Sequence, residues 1–241
     1  MNRSWEKEYT LRGSDFDKFG QIKPSSVLDL FQDAAGQHAY VLGVGFAQML
    51  EKSYLWVLTR IKFRVLQQPK KHQTLRVKTW PLAPNRLLYR REYCITDLQG
   101  NTLIAGSSEW VVMHSIKRRF VSAPDLYPFT DGFLEDRMCE EKLGKVTDFE
   151  ATAAPYSLRA GFGDLDVNDH VNNARYASFV MDALCPTCPK ELDVFQIDFR
   201  KEVLLGDTLH IHHTTEGNLS LVKGLNDKGE TTFACQIEYK E

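Results

Sequence analysis

The sequence predicts an α+β fold in which one unit, a long helix followed by an antiparallel sheet, occurs twice. Three observations carry this. Residues 27–42 place apolar side chains at helical spacing, and segments with strand alternation follow them. A second helix-like run, Ala174 to Leu184, is again followed by such segments. The two halves also match residue against residue in a shared order, the signature of an internal repeat.

Residues 5–11 alternate weakly, as an entry strand does. Ser14-Asp15-Phe16-Asp17-Lys18-Phe19-Gly20 reads as a loop, and Pro24-Ser25-Ser26 as a helix start. From Val27 to Leu42 the stripe falls at 27, 28, 31, 34, 35, 38 (a histidine) and 42, and Gly43 is the natural stop. Leu55, Val57, Thr59, Ile61, Phe63 and Val65 then alternate with Trp56, Leu58, Arg60, Lys62 and Arg64, which is strand periodicity. Further strands are expected at 74–80, 87–96 and 103–114, with a hairpin at Asp97-Leu98-Gln99-Gly100-Asn101.

Residues 122–150 break the pattern with Pro124, Pro128, Gly132, Gly144 and many acidic side chains. They read as a linker with at most a turn of helix near 135–143. The domains expected are thus 1–121 and 151–241, joined by 122–150.

The repeat then begins. Asp15-Phe16-Asp17 matches Asp164-Leu165-Asp166, and at the same offset Asp33-Ala34 meets Asp182-Ala183. Arg60-Ile61-Lys62-Phe63-Arg64 matches Gln196-Ile197-Asp198-Phe199-Arg200, Thr74-Leu75 matches Thr208-Leu209, and the Gly100 hairpin matches Asp227-Lys228-Gly229. In the second copy Phe195, Ile197 and Phe199 share a face, as do Phe233, Cys235, Ile237 and Tyr239. Both rows are expected to pack on the stripe of Tyr176, Ala177, Val180, Ala183 and Leu184, because a helix must cover one sheet face.

Composition excludes several classes. The 241 residues are 43% hydrophobic and 26% charged, which suits a globular chain. A formal charge of −2 argues against a nucleic-acid binder. No apolar run reaches the roughly 18 residues of a membrane span. The start Met1-Asn2-Arg3-Ser4-Trp5-Glu6-Lys7 has no apolar h-region, so the expected location is cytoplasmic. Five cysteines, an odd number, point to reduced thiols.

The chemistry concentrates in Asp164-Leu165-Asp166-Val167-Asn168-Asp169-His170-Val171-Asn172-Asn173. Asp166, Asn168 and His170 are spaced i, i+2, i+4, and in an extended backbone they would face one volume. The helix that follows would offer unpaired N–H groups near 171–173 to an anion. An acid/base group beside an anion site suits hydrolysis of an acyl bond. The bland alternative is a polar loop with a helix cap. The twin loop keeps Asp17 but has Phe19 and Gln21 opposite Asn168 and His170, so a single equipped site is expected.

At this point the residues carry a family. Asp166-Val167-Asn168-Asp169-His170-Val171-Asn172-Asn173 with Tyr176 resembles the central motif of the acyl-acyl-carrier-protein thioesterases, the plant chain-terminating enzymes and their bacterial relatives. Trp56-Val57-Leu58-Thr59-Arg60, the stretch Thr79-Trp80 … Arg86 … Arg90-Arg91-Glu92, and Phe199-Arg200-Lys201-Glu202 extend the resemblance over nearly the whole chain. It implies a tandem (double) hotdog, with the acyl chain bound by the N-terminal half. It implies hydrolysis of fatty-acyl thioesters on acyl carrier protein, releasing free fatty acid. The catalytic residues it implies are Asp166, Asn168, His170 and Glu202. Family members often have a cysteine after that glutamate, and here the position is Val203, which moves the chemistry onto carboxylates and water.

Two carboxylates from different elements tend to separate in pKa, so one serves as base. The expected roles are Glu202 with His170 activating water, Asn168 orienting it, and Asp166 fixing His170 or sharing the base role. Direct carboxylate attack through an anhydride stays open. No cofactor and no metal are expected, since phosphopantetheine arrives on the substrate. The partner is acyl carrier protein, with no nucleic acid and a homodimer left open. The competing functions are a hotdog acyl-coenzyme A thioesterase, a non-catalytic acyl-binding module, and a hydratase or dehydratase on the same fold.

Other motifs carry less. Cys185-Pro186-Thr187-Cys188 lacks a second pair for a metal and follows a helix end rather than opening one. His210 and His212 share a strand face and read as exposed positions. Gly43-Val44-Gly45 lacks the third glycine of a dinucleotide fingerprint, and Asn218-Leu219-Ser220 is a glycosylation sequon by pattern only. Arg86, Arg90 and Arg91, with Lys117, Arg118 and Arg119, read as solvated charge or as a dock for the acidic carrier protein.

Overall fold

The computed structural model describes residues 3–140, 142–151 and 154–241. Met1 and Asn2 of the N-terminal stretch, Glu141 in the expected turn of helix, and Thr152 and Ala153 at the start of the second half lie outside the described residues. The chain forms two compact units, Met1–Gly13 with Asp29–Leu143, and Ser14–Leu28 with Gly144–Glu241.

The first unit runs β1 (Trp5–Thr10), the long helix α1 (Pro24–Val41, entered from the second unit), α2 (Phe46–Glu51), β2 (Tyr54–Val65), β3 (Thr74–Pro81), β4 (Tyr89–Thr96), β5 (Thr102–His114) and β6 (Arg119–Val121). The strands lie side by side as β1-β3-β4-β5-β2, each pair antiparallel, and β6 pairs with the far end of β5. All seven positions of the predicted helical stripe are buried, including His38. Phe31 carries that stripe onto the sheet, stacking on Tyr93 at 4.2 Å and meeting Phe63 edge-on. Burying one such ring contributes about 1.5–3 kcal/mol. Gly106 on β5 makes the approach possible, because a Cβ there would lie 2.5 Å from the Phe31 ring.

The other face of this sheet is covered by a strap that includes Asp136, Met138, Cys139 and Leu143, where a turn of helix was expected. There is none among the described residues, because the backbone polar groups of this strap are spent on the sheet's side chains. Trp80 Nε1 donates to Asp136 O at 3.0 Å, Arg90 Nη2 to Cys139 O at 3.4 Å, and Arg60 Nη1 to Leu143 O at 2.7 Å. The Met138 N–H donates to Glu92 Oε2 at 2.7 Å.

Arg90 and Arg91 are therefore not surface charge, neither solvated nor free to dock a partner. Arg90 is buried under the strap, its Nε 2.5 Å from Glu92 Oε1. Arg91 is buried on the helix side, its Nη1 3.0 Å from His38 Nδ1 and 3.3 Å from Thr79 Oγ1. Arg86, Lys117, Arg118 and Arg119 are exposed, as expected.

The second unit contains β7 (Tyr156–Arg159), α3 (Asn173–Leu184), β8 (Leu192–Phe199), β9 (Thr208–Glu216), β10 (Leu219–Leu225) and β11 (Thr231–Tyr239). Its strand order, β7-β9-β10-β11-β8, repeats β1-β3-β4-β5-β2 strand for strand. Each unit is thus a helix cradled by one antiparallel sheet, as the repeat predicts, and this is the hotdog arrangement the family resemblance implies. Tyr176 on α3 meets Phe199 and Phe233 edge-on, 5.4 Å between ring centres in both cases. A continuation of the strap covers this sheet's other face: Gln196 Nε2 donates to Gly144 O, the Val146 N–H to Asp198 Oδ2, and Lys223 pairs with Asp148. No described helix is long and apolar enough to cross a membrane.

Candidate active site

The loop that opens the site is a tight hairpin turn. The Asp166 N–H donates to His170 O at 2.9 Å, and the Asp169 N–H donates to Asp166 O at 3.2 Å. The Asn168 N–H donates to the Asp166 side chain, Oδ1, at 2.8 Å. Asp169 takes φ +61°, a left-handed position that aspartate tolerates better than most residues. The extended backbone expected for Asp166, Asn168 and His170 is therefore wrong. Strand alternation does not set their directions; a turn closed by the Asp166 carboxylate does.

The twin loop folds the same way. The Asp17 N–H donates to Gln21 O at 2.8 Å, the Gly20 N–H to Asp17 O at 3.0 Å, and the Phe19 N–H to Asp17 Oδ1 at 2.8 Å. Gly20, at φ +81°, holds the place of Asp169. The shared aspartate is thus the turn former in both copies, and Asn168 and His170 in place of Phe19 and Gln21 are what distinguish the second copy.

Two of the three N–H groups expected to face an anion, those of Val171 and Asn172, are already used. The Val171 N–H donates to Val203 O and the Asn172 N–H to Asp164 O, both at 2.9 Å. Asn172 caps α3, its Oδ1 accepting from the Ala174 N–H at 2.8 Å. Asp164 is held in turn by Arg175, whose Nε and Nη2 donate to Oδ1 at 3.0 and 2.8 Å. These contacts fix the entry to the helix and leave Val171 and Asn172 no oxyanion role.

Glu202 follows the end of β8. The bond from Val171 to Val203 and a bridge between His170 and Leu204 stitch its segment to the turn. This brings His170 Nε2 within 3.6 Å of Glu202 Oε2, with both side chains about one-third exposed (32% and 41%). Asn168 is exposed at the tip of the turn. Val203, where a thiol was excluded, is buried and serves as packing.

Tyr176 sits directly beneath. Burial pushes its phenol above the ordinary tyrosine range, and a hydrogen bond with the Val203 backbone opposes this. The carboxylates of Glu202, Asp166 and Asp207 raise it further, so the phenol stays neutral and senses Glu202, the carboxylate that faces His170. The sequence presents Tyr176 as a motif residue; its place beside the site follows from its bond with the Val203 backbone, which no spacing reveals. Among the described residues no group of three or more His, Cys, Asp and Glu is placed to hold a metal.

Comparison with known proteins gives a consistent result. Residues 2–127 match the model of the acyl-ACP thioesterase N-terminal domain, and residues 148–241 match that of the C-terminal domain. A chloroplastic palmitoyl-acyl carrier protein thioesterase of Arabidopsis thaliana is 28% identical over 194 residues, 74% of this chain and 47% of the relative. A chloroplastic oleoyl-acyl carrier protein thioesterase of the same plant is 24% identical over 99% of this chain and 70% of its own length. The chain spans about half the length of several of the curated relatives it matches. An acyl-ACP thioesterase from Bacteroides thetaiotaomicron superposes with a TM-score of 0.89 at 21% identity, covering 99% of this chain and 98% of that one. The 12:0-ACP thioesterase from Umbellularia californica superposes with a TM-score of 0.87 at 21% identity, covering 100% and 98%.

Proposed function

Because the chain belongs to the acyl-ACP thioesterase family, we propose that it hydrolyses fatty-acyl thioesters on acyl carrier protein and releases free fatty acid, ending chain growth. The observation that carries the mechanism is the approach of His170 Nε2 to Glu202 Oε2, 3.6 Å, at a turn that also holds Asp166 and Asn168. A water held between imidazole and carboxylate loses a proton to that pair as its oxygen attacks the thioester carbonyl. The C–S bond then breaks, and the thiolate of the phosphopantetheine arm takes a proton as it leaves. Asp166 is a positioning residue in this reading, since its carboxylate closes the turn that presents His170. Asn168, exposed at the tip, orients the water or the carbonyl.

The N-terminal unit binds the acyl chain in this proposal. Its support is the N-terminal family match and the apolar, aromatic core between helix and sheet. A cytoplasmic, bacterial setting and a homodimer belong to the same reading, and cell fractionation and sedimentation equilibrium test them.

The test is thiol release from acyl carrier protein and coenzyme A substrates of graded chain length. Glu202→Gln and His170→Ala are expected to lower kcat by about 100- to 10,000-fold, the usual worth of a general base, with little change in melting temperature. Near-normal turnover in both would sink the mechanism. Release from coenzyme A alone would replace the carrier-protein reading with the acyl-coenzyme A one, and release from neither would favour a binding module.

A further inference from the structure

A second chemically ordered cluster lies in the second unit. Ser157 on β7 stands directly across from His210 on β9. Ser157 Oγ is 2.9 Å from His210 Nδ1, and His210 Nε2 is 2.9 Å from Oδ1 of Asp227 in the β10–β11 hairpin. Three separate elements thus converge on one hydrogen-bonded line.

The chemistry of the groups fixes its direction. A carboxylate only accepts, so in the neutral ring Nε2 carries the proton and donates it to Asp227. Nδ1 is then the acceptor and takes the hydrogen bond of the Ser157 hydroxyl. This is the order of a nucleophile, a general base and an orienting carboxylate, with the two ring nitrogens exchanged relative to the serine protease arrangement. The ladder adds a further element. Ala160 donates its N–H to Asp207 O, toward β9. By antiparallel alternation Ser157 then points its N–H away from β9, toward the outer edge of the strand order.

We propose that Ser157 is a nucleophilic serine, activated by His210 and Asp227, that takes acyl groups from small activated esters independently of Glu202. Ser157 Oγ bonds to the carbonyl carbon while its proton passes to Nδ1. The bond from carbon to the leaving oxygen then breaks, and that oxygen takes the proton from Nδ1. Water reverses the sequence and frees the acid. Ser157 is exposed, as is Asp227 at 70%, so the site suits a small acyl or phosphonyl group rather than a long chain.

A fluorophosphonate probe with peptide mass mapping tests this on the intact protein. Ser157 is expected to label ahead of the other serines. His210→Ala should slow that labelling by about 100-fold, the lower end for a general base at an exposed site. Asp227→Asn should slow it less, and Glu202→Gln should leave it unchanged. p-Nitrophenyl acetate should give a burst of nitrophenol that Ser157→Ala removes. Labelling of Ser157 no faster than other surface serines, or equal in His210→Ala, would overturn the proposal and leave the cluster as a tie that pins β7 to the sheet.

Discussion

Glu92→Gln should destabilise the first unit far more than its conservative chemistry suggests. The carboxylate is fully buried and its partner Arg90 is 6% exposed. Three donors converge on its two oxygens: Arg90 Nε on Oε1, and Ser107 Oγ at 2.5 Å with the Met138 N–H at 2.7 Å on Oε2. A glutamine has one acceptor oxygen. Whichever way its amide turns, an NH2 group faces either Arg90 Nε or the Met138 N–H, and neither can reverse. The buried guanidinium also loses the carboxylate that its Nε meets at 2.5 Å. Removing one partner of such a pair costs about 3–5 kcal/mol. For a chain of this length that lowers the melting temperature by about 6–20 °C. Calorimetry measures the shift, and limited proteolysis should show faster cleavage in the strap near Met138. The double variant Arg90→Met/Glu92→Gln should recover part of the loss, because the buried charge facing the amide is gone. A single variant that melts within about 2 °C of the parent would refute the account of the buried pair.

Three further outcomes are expected. Gly106→Ala drives a Cβ to 2.5 Å from the Phe31 ring, which is stacked on Tyr93 and has nowhere to go, so urea unfolding should show a loss of about 1–3 kcal/mol. Cys185 caps α3 at φ +41°, and Cys185→Gly should raise stability by about 0.5–1 kcal/mol in the same assay. Burial works to raise the pKa of Asp33, but hydrogen bonds from Tyr9 and Gln37 and the charge of Lys7 outweigh it and hold the carboxyl below its ordinary value. A depressed folded pKa gives stability above the unfolded value of about 3.9 that is lost as pH falls through the folded one, so Asp33→Asn should flatten the acid limb of stability against pH.

The parts legible in the sequence were those set by periodicity. The stripe at 27, 28, 31, 34, 35, 38 and 42 is buried at every position, and the matched order of helix and strands became two sheets with one strand order. What periodicity could not reach was chemistry local to a turn. Asp166, Asn168 and His170 fit strand spacing, yet the Asp166 carboxylate bends the chain instead, and its twin Asp17 was the available clue. Arg90 reads as surface charge because charged residues usually are, and Glu92 only as part of the family stretch beside it. Their spacing of two on a strand already placed them on one face, but the strap that buries that face comes from about 46 residues downstream, which no local pattern shows. The helix α2 and the strands β6 and β7 are too short to fill a periodic window. Glu202 came from the family resemblance, and its approach to His170 rests on the Val171–Val203 contact, invisible in one dimension.

The paired turns give the molecule an internal control. The same backbone loop, closed by the same aspartate, occurs once with an imidazole and an amide and once with glutamine and phenylalanine. Asp17→Ala measures what the turn is worth to folding alone, and Asp166→Ala measures that quantity plus whatever the loop contributes to turnover. The difference between the two separates architecture from reactivity within a single polypeptide, without recourse to a second protein.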